Sequence, residues 1–219
     1  MSRRVIGVAV DALWVVIVPV KELHLAKSRL HELSDQRRVD LALAMAADVV
    51  SAAAAAASVR GVVVVTNDAR AAALTAELGA RVIADASDSG LDDALVDAAR
   101  TARSVWPRCG LVAVSSDLPC ATPTAIDTLV RRAGTVDRGV LADRRGDGTT
   151  VLTAGPTAEL TPSYGAASRA RHVLGGATQL DASGLESLCL DVDTPSDLAD
   201  ALSLGVGPHT SAVMLRADT

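Results

Sequence analysis

The chain has 219 residues, of which 49% are hydrophobic and 21% charged, and its formal net charge is −5. This length and composition are typical of one α/β domain, spanning residues 1–219, with a sizeable core. The acidic balance, together with one Tyr, two Trp and no Phe, argues against a nucleic-acid polymer as partner, because few rings are available to stack on bases.

The first twelve residues contain Ser2-Arg3-Arg4 before an apolar stretch, which superficially resembles a twin-arginine export signal. Asp11 interrupts that stretch, no small-residue cleavage site follows, and cleavage there would remove the first strand. We therefore predict that residues 1–12 are a peripheral N-terminal extension. No apolar run approaches the roughly 20 residues that a membrane span needs. We therefore expect no membrane partner. Three cysteines without CxxC spacing indicate no disulfide framework or zinc site, so we expect a cytoplasmic protein.

From residue 13 onwards, β-branched apolar runs alternate with alanine-rich helical stretches, a pattern typical of a parallel sheet covered on both faces. Helices are predicted at residues 35–57, 69–78, 91–104, 124–133 and 196–204. Ser34 is the predicted N-cap of the first helix, and Asn67 or Asp68 that of the second. Strands are predicted at residues 13–18, 61–66, 81–84, 110–115, 139–142, 150–153 and 187–190.

Two of the predicted strands run directly into carboxylates. Asp117 follows the strand at 110–115, and Asp191 and Asp193 follow the strand at 187–190. Ligands of α/β folds bind at the carboxyl ends of parallel strands, where three carboxylates can hold a divalent cation against phosphate oxygens. Asp193 has an alternative interpretation as the N-cap of the helix that begins at Thr194-Pro195.

Other phosphate-handling motifs fit the chain less well. DVDT at 191–194 matches the nucleophile motif of haloacid-dehalogenase phosphatases, but in those enzymes the motif follows the first strand. A glycosyltransferase DxD metal site normally lies nearer mid-chain, where this sequence has Asp117 alone. Neither GxGxxG after the first strand nor GxxxxGK[ST] occurs, so a dinucleotide fingerprint and a P-loop are not indicated.

A basic loop follows the first predicted strand. Lys21, Lys27 and Arg29 place three cations at the sheet edge, where they can neutralise a triphosphate and its pyrophosphate leaving group. The alternative is an ordinary solvated loop. Because the loop coincides with the acidic positions, we predict catalytic roles for all three cations, with Lys21 facing the nucleotide phosphates.

Motifs in chain order from about Trp14 to Gly207 resemble the guanylyltransferases of coenzyme F420 biosynthesis. They are VPVK (18–21), AKSRL (26–30), SDLP (116–119), ADRRGDGTT (142–150), YGAASRARH (164–172) and DVDTP (191–195). The resemblance implies a three-layer, Rossmann-like (GT-A-like) nucleotidyltransferase fold with a mostly parallel central sheet. It also implies transfer of GMP from GTP to phosphoenolpyruvate or 2-phospho-L-lactate with release of pyrophosphate, the product passing to a later F420 pathway transferase. The aspartates at 117, 191 and 193 are then expected to bind Mg²⁺ with the acidic substrate.

The resemblance also suggests where the acid and the base would bind. Thr149, Gly165 and Ser168 are expected near the acid, since glycine lets backbone N–H groups approach an anion and the hydroxyls can donate. A helix is expected to begin near Ser168, whose alternative role is a plain N-cap. His172 is expected to flank the site or be solvated rather than react, because a phosphate dianion can attack GTP without a general base.

Gly90-Leu91-Asp92 stands where the family usually has Gly-Leu-Asn, and we predict that these three residues bind the nucleotide. Asp92 can accept hydrogen bonds from guanine N1–H and N2–H₂, so guanine remains possible although the contact differs.

Among the two acids, likeness to the actinobacterial branch favours phosphoenolpyruvate. Alternatives are a molybdenum-cofactor-type nucleotidyltransferase, which PVKEL at 19–23 disfavours, and an inactive nucleotide-binding regulatory domain, which the intact acidic trio disfavours.

Overall fold

The computed structural model describes residues 13–23, 27, 29–30, 32–86 and 90–216, so the predicted extension at 1–12 lies outside the described residues. Strands β1 to β7 are Trp14–Pro19, Val59–Val65, Arg81–Ile83, Gly110–Val114, Arg138–Ala142, Thr149–Ala154 and Thr178–Gln179. Helices α1 to α7 are Asp35–Ala55, Ala69–Glu77, Leu91–Val105, Pro123–Ala133, Ser168–Leu174, Pro195–Leu204 and Pro208–Met214. None of the described helices combines the length and apolarity that a membrane span requires.

The strands form one mixed sheet in the order β3-β2-β1-β4-β6-β5-β7. The β1 strand pairs in parallel with β2 and β4, and β2 with β3, whereas β6 runs antiparallel to both β4 and β5. Successive β1 residues face opposite layers: Val16 and Val18 pack with α1 and α4, and Val15 and Ile17 pack with α3. A strand buried on both faces explains the unbroken apolar run, and the predicted mostly parallel α/β sheet is confirmed.

The predicted strand at 187–190 is wrong. Glu186–Leu188 forms a short 3₁₀ turn, and the following segment is irregular backbone. Leu188, Cys189, Leu190 and Val192 are nevertheless buried, so residues 188–190 form a continuous apolar run like that of a buried strand, while the backbone of the segment hydrogen-bonds elsewhere. The Val192 N–H donates to the Asp117 carbonyl at 3.1 Å, which places the segment beside the end of β4.

Helix starts follow the predicted capping chemistry in part. The side chain of Ser34 caps α1 by accepting from Arg37 N–H, and that of Asp68 caps α2. The alternative N-cap role of Asp193 is wrong, because Thr194 caps α6 in a reciprocal capping box with Asp197. The sequence pattern did not predict β7 or α7.

The C-terminal helix α7 is fastened to α1 through a buried carboxylate. Asp48, only 3% exposed, accepts hydrogen bonds from the backbone N–H groups of His209 (2.9 Å) and Thr210 (2.8 Å) in the first turn of α7. Gly207 lies against the same carboxyl group, where an added Cβ would come within 2.4 Å of Asp48 Cγ. The close approach therefore requires glycine at this position.

Gly207→Ala is expected to lower the free energy of unfolding by about 2 kcal/mol or more, because the new methyl group forces Asp48 away from amides it satisfies. Urea denaturation measures the change. Gly134→Ala is the matched control, since Gly134 has φ −65° and its nearest Cβ contact would be 3.4 Å. Equal stabilities for the two variants would contradict the prediction.

Candidate active site

A cleft of about 320 Å³ opens at the carboxyl ends of β1 and β4. The connection after β1 leads to β2 on one side, while β4 lies on the other side, so the cleft sits at a switch point of the sheet. Such crevices are the usual ligand sites of open α/β sheets. The lining residues are Pro19, Val20, Lys21, Leu23, Lys27, Ala42, Met45, Leu91, Ser115, Ser116, Asp117 and Asp193.

Lys27 bridges two of the predicted carboxylates. Its Nζ lies 2.6 Å from Asp117 Oδ2 and 3.1 Å from Asp193 Oδ1, and its side chain is only 8% exposed. Burial lowers the pKa of the ammonium, but the charges of Asp117 and Asp193 outweigh that effect and leave the pKa raised. Lys27 therefore keeps its positive charge at neutral pH. Arg29, with its side chain 69% exposed, lies 3.8 Å from Asp193 Oδ2 at the rim.

Asp191 lies near Asp117 and Asp193 but does not complete a three-carboxylate metal site with them. Among the described residues, no group of three His, Cys, Asp or Glu side chains is arranged to hold a metal ion. Burial, followed by the charge of Asp117, raises the pKa of Asp191 to about 6. Asp117 and Asp193 alone suit Mg²⁺, which usually takes one or two carboxylates together with substrate phosphates. The structure thus brings Asp117, Asp193 and Lys27 together and leaves Asp191 beside them.

Asp191→Asn is expected to stabilise the metal-free protein. The folded pKa of about 6 exceeds the ordinary value of 3.8, so the ionised carboxylate becomes a growing cost as the pH rises between these two values. A rise of this size corresponds to about 3 kcal/mol at full burial, and partial water contact reduces the expected gain to about 1 kcal/mol at neutral pH.

Urea denaturation of both proteins with EDTA measures this gain. The advantage of Asp191→Asn should be complete above about pH 6 and vanish near pH 4. A gain that does not vary with pH would contradict the assignment.

A second polar cluster holds α5 against β6. Thr149 Oγ1 lies 3.0 Å from His172 Nδ1, Ser168 Oγ donates to Thr149 Oγ1 at 3.1 Å, and His172 Nε2 accepts from Ser163 N–H at 2.8 Å. Since Nε2 accepts, the His172 proton sits on Nδ1. Burial is the main cause that lowers the pKa of His172, so the ring is neutral. His172 is buried rather than solvated, and the Thr149 and Ser168 hydroxyls bond within the protein.

The segment before α5 contains the predicted glycine. Gly165 has φ 115°, which favours glycine, and Ala167, not Ser168, is the N-cap of α5. The alternative N-cap role of Ser168 is therefore wrong. Ser168 and His172 lie four residues apart on one face of α5, a spacing that could have revealed the cluster from the sequence.

The predicted base-binding residues lie at the start of α3. Gly90 is the N-cap of α3 with φ 104°, and Leu91 lines the cleft. Asp92 Oδ1 accepts the Tyr164 N–H at 2.9 Å. The start of α3 is thereby joined to the segment that leads into α5.

Two arginines that the sequence did not single out hold the 143–148 loop in place. Arg144 and Arg145 each pair with Asp197 in the first turn of α6, at 3.3 and 3.2 Å. The composition held a further signal: the sequence contains two lysines, Lys21 and Lys27, and both line the cleft, while the other Lys/Arg positions are all arginine.

A family model described as "Guanylyl transferase CofC like" matches residues 14–217. The chain belongs to this family. It is 45% identical over 203 residues to the phosphoenolpyruvate guanylyltransferase of Thermomonospora curvata, covering 93% of this chain and 89% of that protein. It is 46% identical over 204 residues to the protein of the same name from Streptomyces coelicolor, covering 93% and 96%.

Two solved structures share the fold of this chain. A 4-diphosphocytidyl-2C-methyl-D-erythritol synthase superposes with a TM-score of 0.57 at 12% identity, covering 89% of this chain and 99% of that chain. A Desulfovibrio desulfuricans G20 protein assigned as a nucleotide-diphospho-sugar transferase superposes with a TM-score of 0.67 at 15% identity, covering 93% and 94%. The predicted nucleotidyltransferase fold is confirmed.

Proposed function

We propose that the chain transfers GMP from GTP to phosphoenolpyruvate and releases pyrophosphate. The observation that carries the proposal is the cleft in which Lys27, Asp117 and Asp193 converge at the switch point. The phosphoenolpyruvate guanylyltransferases named above, similar over nine-tenths of the chain, support this choice of reaction.

In this reaction an oxygen of the substrate phosphate forms a bond to the α-phosphorus of GTP, and the bond from that phosphorus to the β-phosphate oxygen breaks. The attacking phosphate is largely a dianion at neutral pH, so no general base is needed. The main requirement is to align two anions that repel each other. The neutral, buried His172 accordingly has a structural role.

The cleft residues divide between cation binding and phosphate binding. Asp117 and Asp193 would hold Mg²⁺, with Asp191 beside them. When bound, Mg²⁺ supplies positive charge against the triphosphate and the acid. Lys21, exposed as the second residue after β1, pairs with the nucleotide phosphates, and Lys27 and Arg29 assist.

The two segments that the Asp92 to Tyr164 hydrogen bond joins bind different substrates. Gly90, Leu91 and Asp92 contact the guanosine side of GTP, with Leu91 already in the cleft wall. The acid lies toward the 164–168 segment, where Gly165 permits close approach of the backbone. Thr149 and Ser168 keep that segment in place through their mutual hydrogen bond.

Pyrophosphate release from GTP and Mg²⁺ with each acid tests the proposal. We expect kcat/KM to favour phosphoenolpyruvate over 2-phospho-L-lactate, by about tenfold or more, because the acids differ by one small group. A preference for 2-phospho-L-lactate would overturn the choice of acid. Release with neither acid would overturn the guanylyltransferase itself, and equal rates with CTP or ATP would overturn guanine selectivity. In the proposed reaction, the guanylylated acid is the product that passes to the later F420 pathway transferase.

A further inference from the structure

Lys27 occupies the point at which a shared cation between Asp117 and Asp193 would sit. Its ammonium contacts one oxygen of each carboxylate, Asp117 Oδ2 and Asp193 Oδ1, at hydrogen-bond distance. The side chain is almost completely enclosed, and its backbone has φ 57°, with its carbonyl accepting the Leu30 N–H at 2.9 Å. Lys27 is thus positioned as an internal counter-ion for the acidic pair.

We propose that Lys27 and the divalent cation compete for Asp117 and Asp193, so that free cation is excluded and enters efficiently only with the nucleotide. This inference rests on the proposed function for the identity of the nucleotide. On entry, the triphosphate takes the ammonium that the carboxylates release, and Lys27 changes from a counter-ion of the protein to one of the substrate.

The competition follows from distance and charge. Mg²⁺ binds carboxylate oxygens at about 2.1 Å, so a cation bound to these two oxygens would lie within about 4 Å of an unmoved ammonium. Two cations at that separation in a partly buried site repel strongly. The ammonium is carried by a flexible four-carbon stem, so it can leave the pair while the loop backbone stays in place.

Lys27→Ala is therefore expected to bind Mn²⁺ more tightly without nucleotide, with Kd lower by about tenfold or more, because a charge-assisted competitor is removed. Electron paramagnetic resonance of free Mn²⁺ gives the Kd directly. Lys27→Arg, which keeps the charge, should bind no more tightly than the wild type.

Lys21→Ala is the matched control, since it removes the same charge from the same cleft. Among the described residues, the carboxylates of Asp117 and Asp193 pair with Lys27 and Arg29, not with Lys21. Its Kd for Mn²⁺ should change by less than about threefold, because solvent screens an exposed charge. An equal or weaker affinity in folded Lys27→Ala would overturn the proposal.

A measurement on the wild type covers the case in which Lys27→Ala does not fold. An amine-acylating reagent followed by mass spectrometry compares the labelling rates of the two lysines, with exposed Lys21 as the internal reference. Lys27 should be labelled slowly in EDTA and several-fold faster at Mg²⁺ concentrations that saturate the site. Unchanged protection at saturation would overturn the proposal.

The outcome is distinguishable from failure of the proposed function. Normal pyrophosphate release by the wild type, together with unchanged Mn²⁺ affinity in folded Lys27→Ala, would overturn only the competition. Tighter Mn²⁺ binding without any release from GTP and either acid would overturn only the proposed reaction.

Discussion

Asp117→Asn is expected to lower kcat for pyrophosphate release by at least about a hundredfold while leaving the fold intact. The substitution removes one of the two carboxylates that converge on Lys27, but asparagine has nearly the same shape. The backbone carbonyl of residue 117, which accepts the Val192 N–H, is retained. Steady-state kinetics together with circular dichroism and thermal unfolding measure the two parts of this expectation.

Asp97→Asn is the control for the loss of a carboxylate as such. Asp97 lies on α3, is 53% exposed in its side chain and pairs with Arg100 in the same helix. Its kcat should stay within about twofold of the wild type, since exposed ion pairs contribute little. Near-normal pyrophosphate release from folded Asp117→Asn would contradict the assignment of Asp117 to the active site.

Lys21→Ala is expected to lower kcat/KM for GTP by about a hundredfold, because a charge-assisted contact to the leaving phosphates is lost. Lys21 is the second residue after β1 and lines the cleft. Initial rates at varied GTP and fixed acid provide the measurement.

Arg60→Ala is the comparison for Lys21→Ala. Arg60 is exposed and belongs to the first residues of β2, at the amino edge of the parallel strands and hence opposite the cleft. Comparable losses in the two variants would show that general electrostatics, rather than a phosphate contact, cause the effect.

Local patterning predicted most of the sheet and its covering helices. The β1 and β4 strands and residues 62–65 of β2 form continuous buried apolar runs, which the sequence pattern predicted as strands. Ser34 and Asp68 cap their helices through hydrogen bonds to amides two or three residues away. The prediction of a strand at 187–190 failed because a continuous apolar run shows that a segment is buried but does not supply a strand to pair with. The two-residue β7 is too short to carry a periodicity.

The sequence predicted those residues of the candidate site that follow a strand. It did not predict the contacts between residues far apart in the chain. Asp117 was located from the strand before it, whereas its ion pair with Lys27 spans 90 positions. The bonds that bury Thr149, Ser168 and His172 likewise join β6 to α5 across 19 to 23 positions. The sequence predicted that Thr149 and Ser168 contact the substrate, whereas in the structure both residues are buried and their hydroxyls are hydrogen-bonded to each other.

The Asp48 contacts with α7 also constrain the order in which the protein can fold. The carboxylate is synthesised early, but its amide partner at His209 follows 161 positions later. Until that part of the chain has emerged from the ribosome, the face of α1 that α7 covers is open to water, which satisfies the carboxylate. Helix α7 therefore docks only at the end of synthesis, when its two backbone N–H groups replace the water around Asp48.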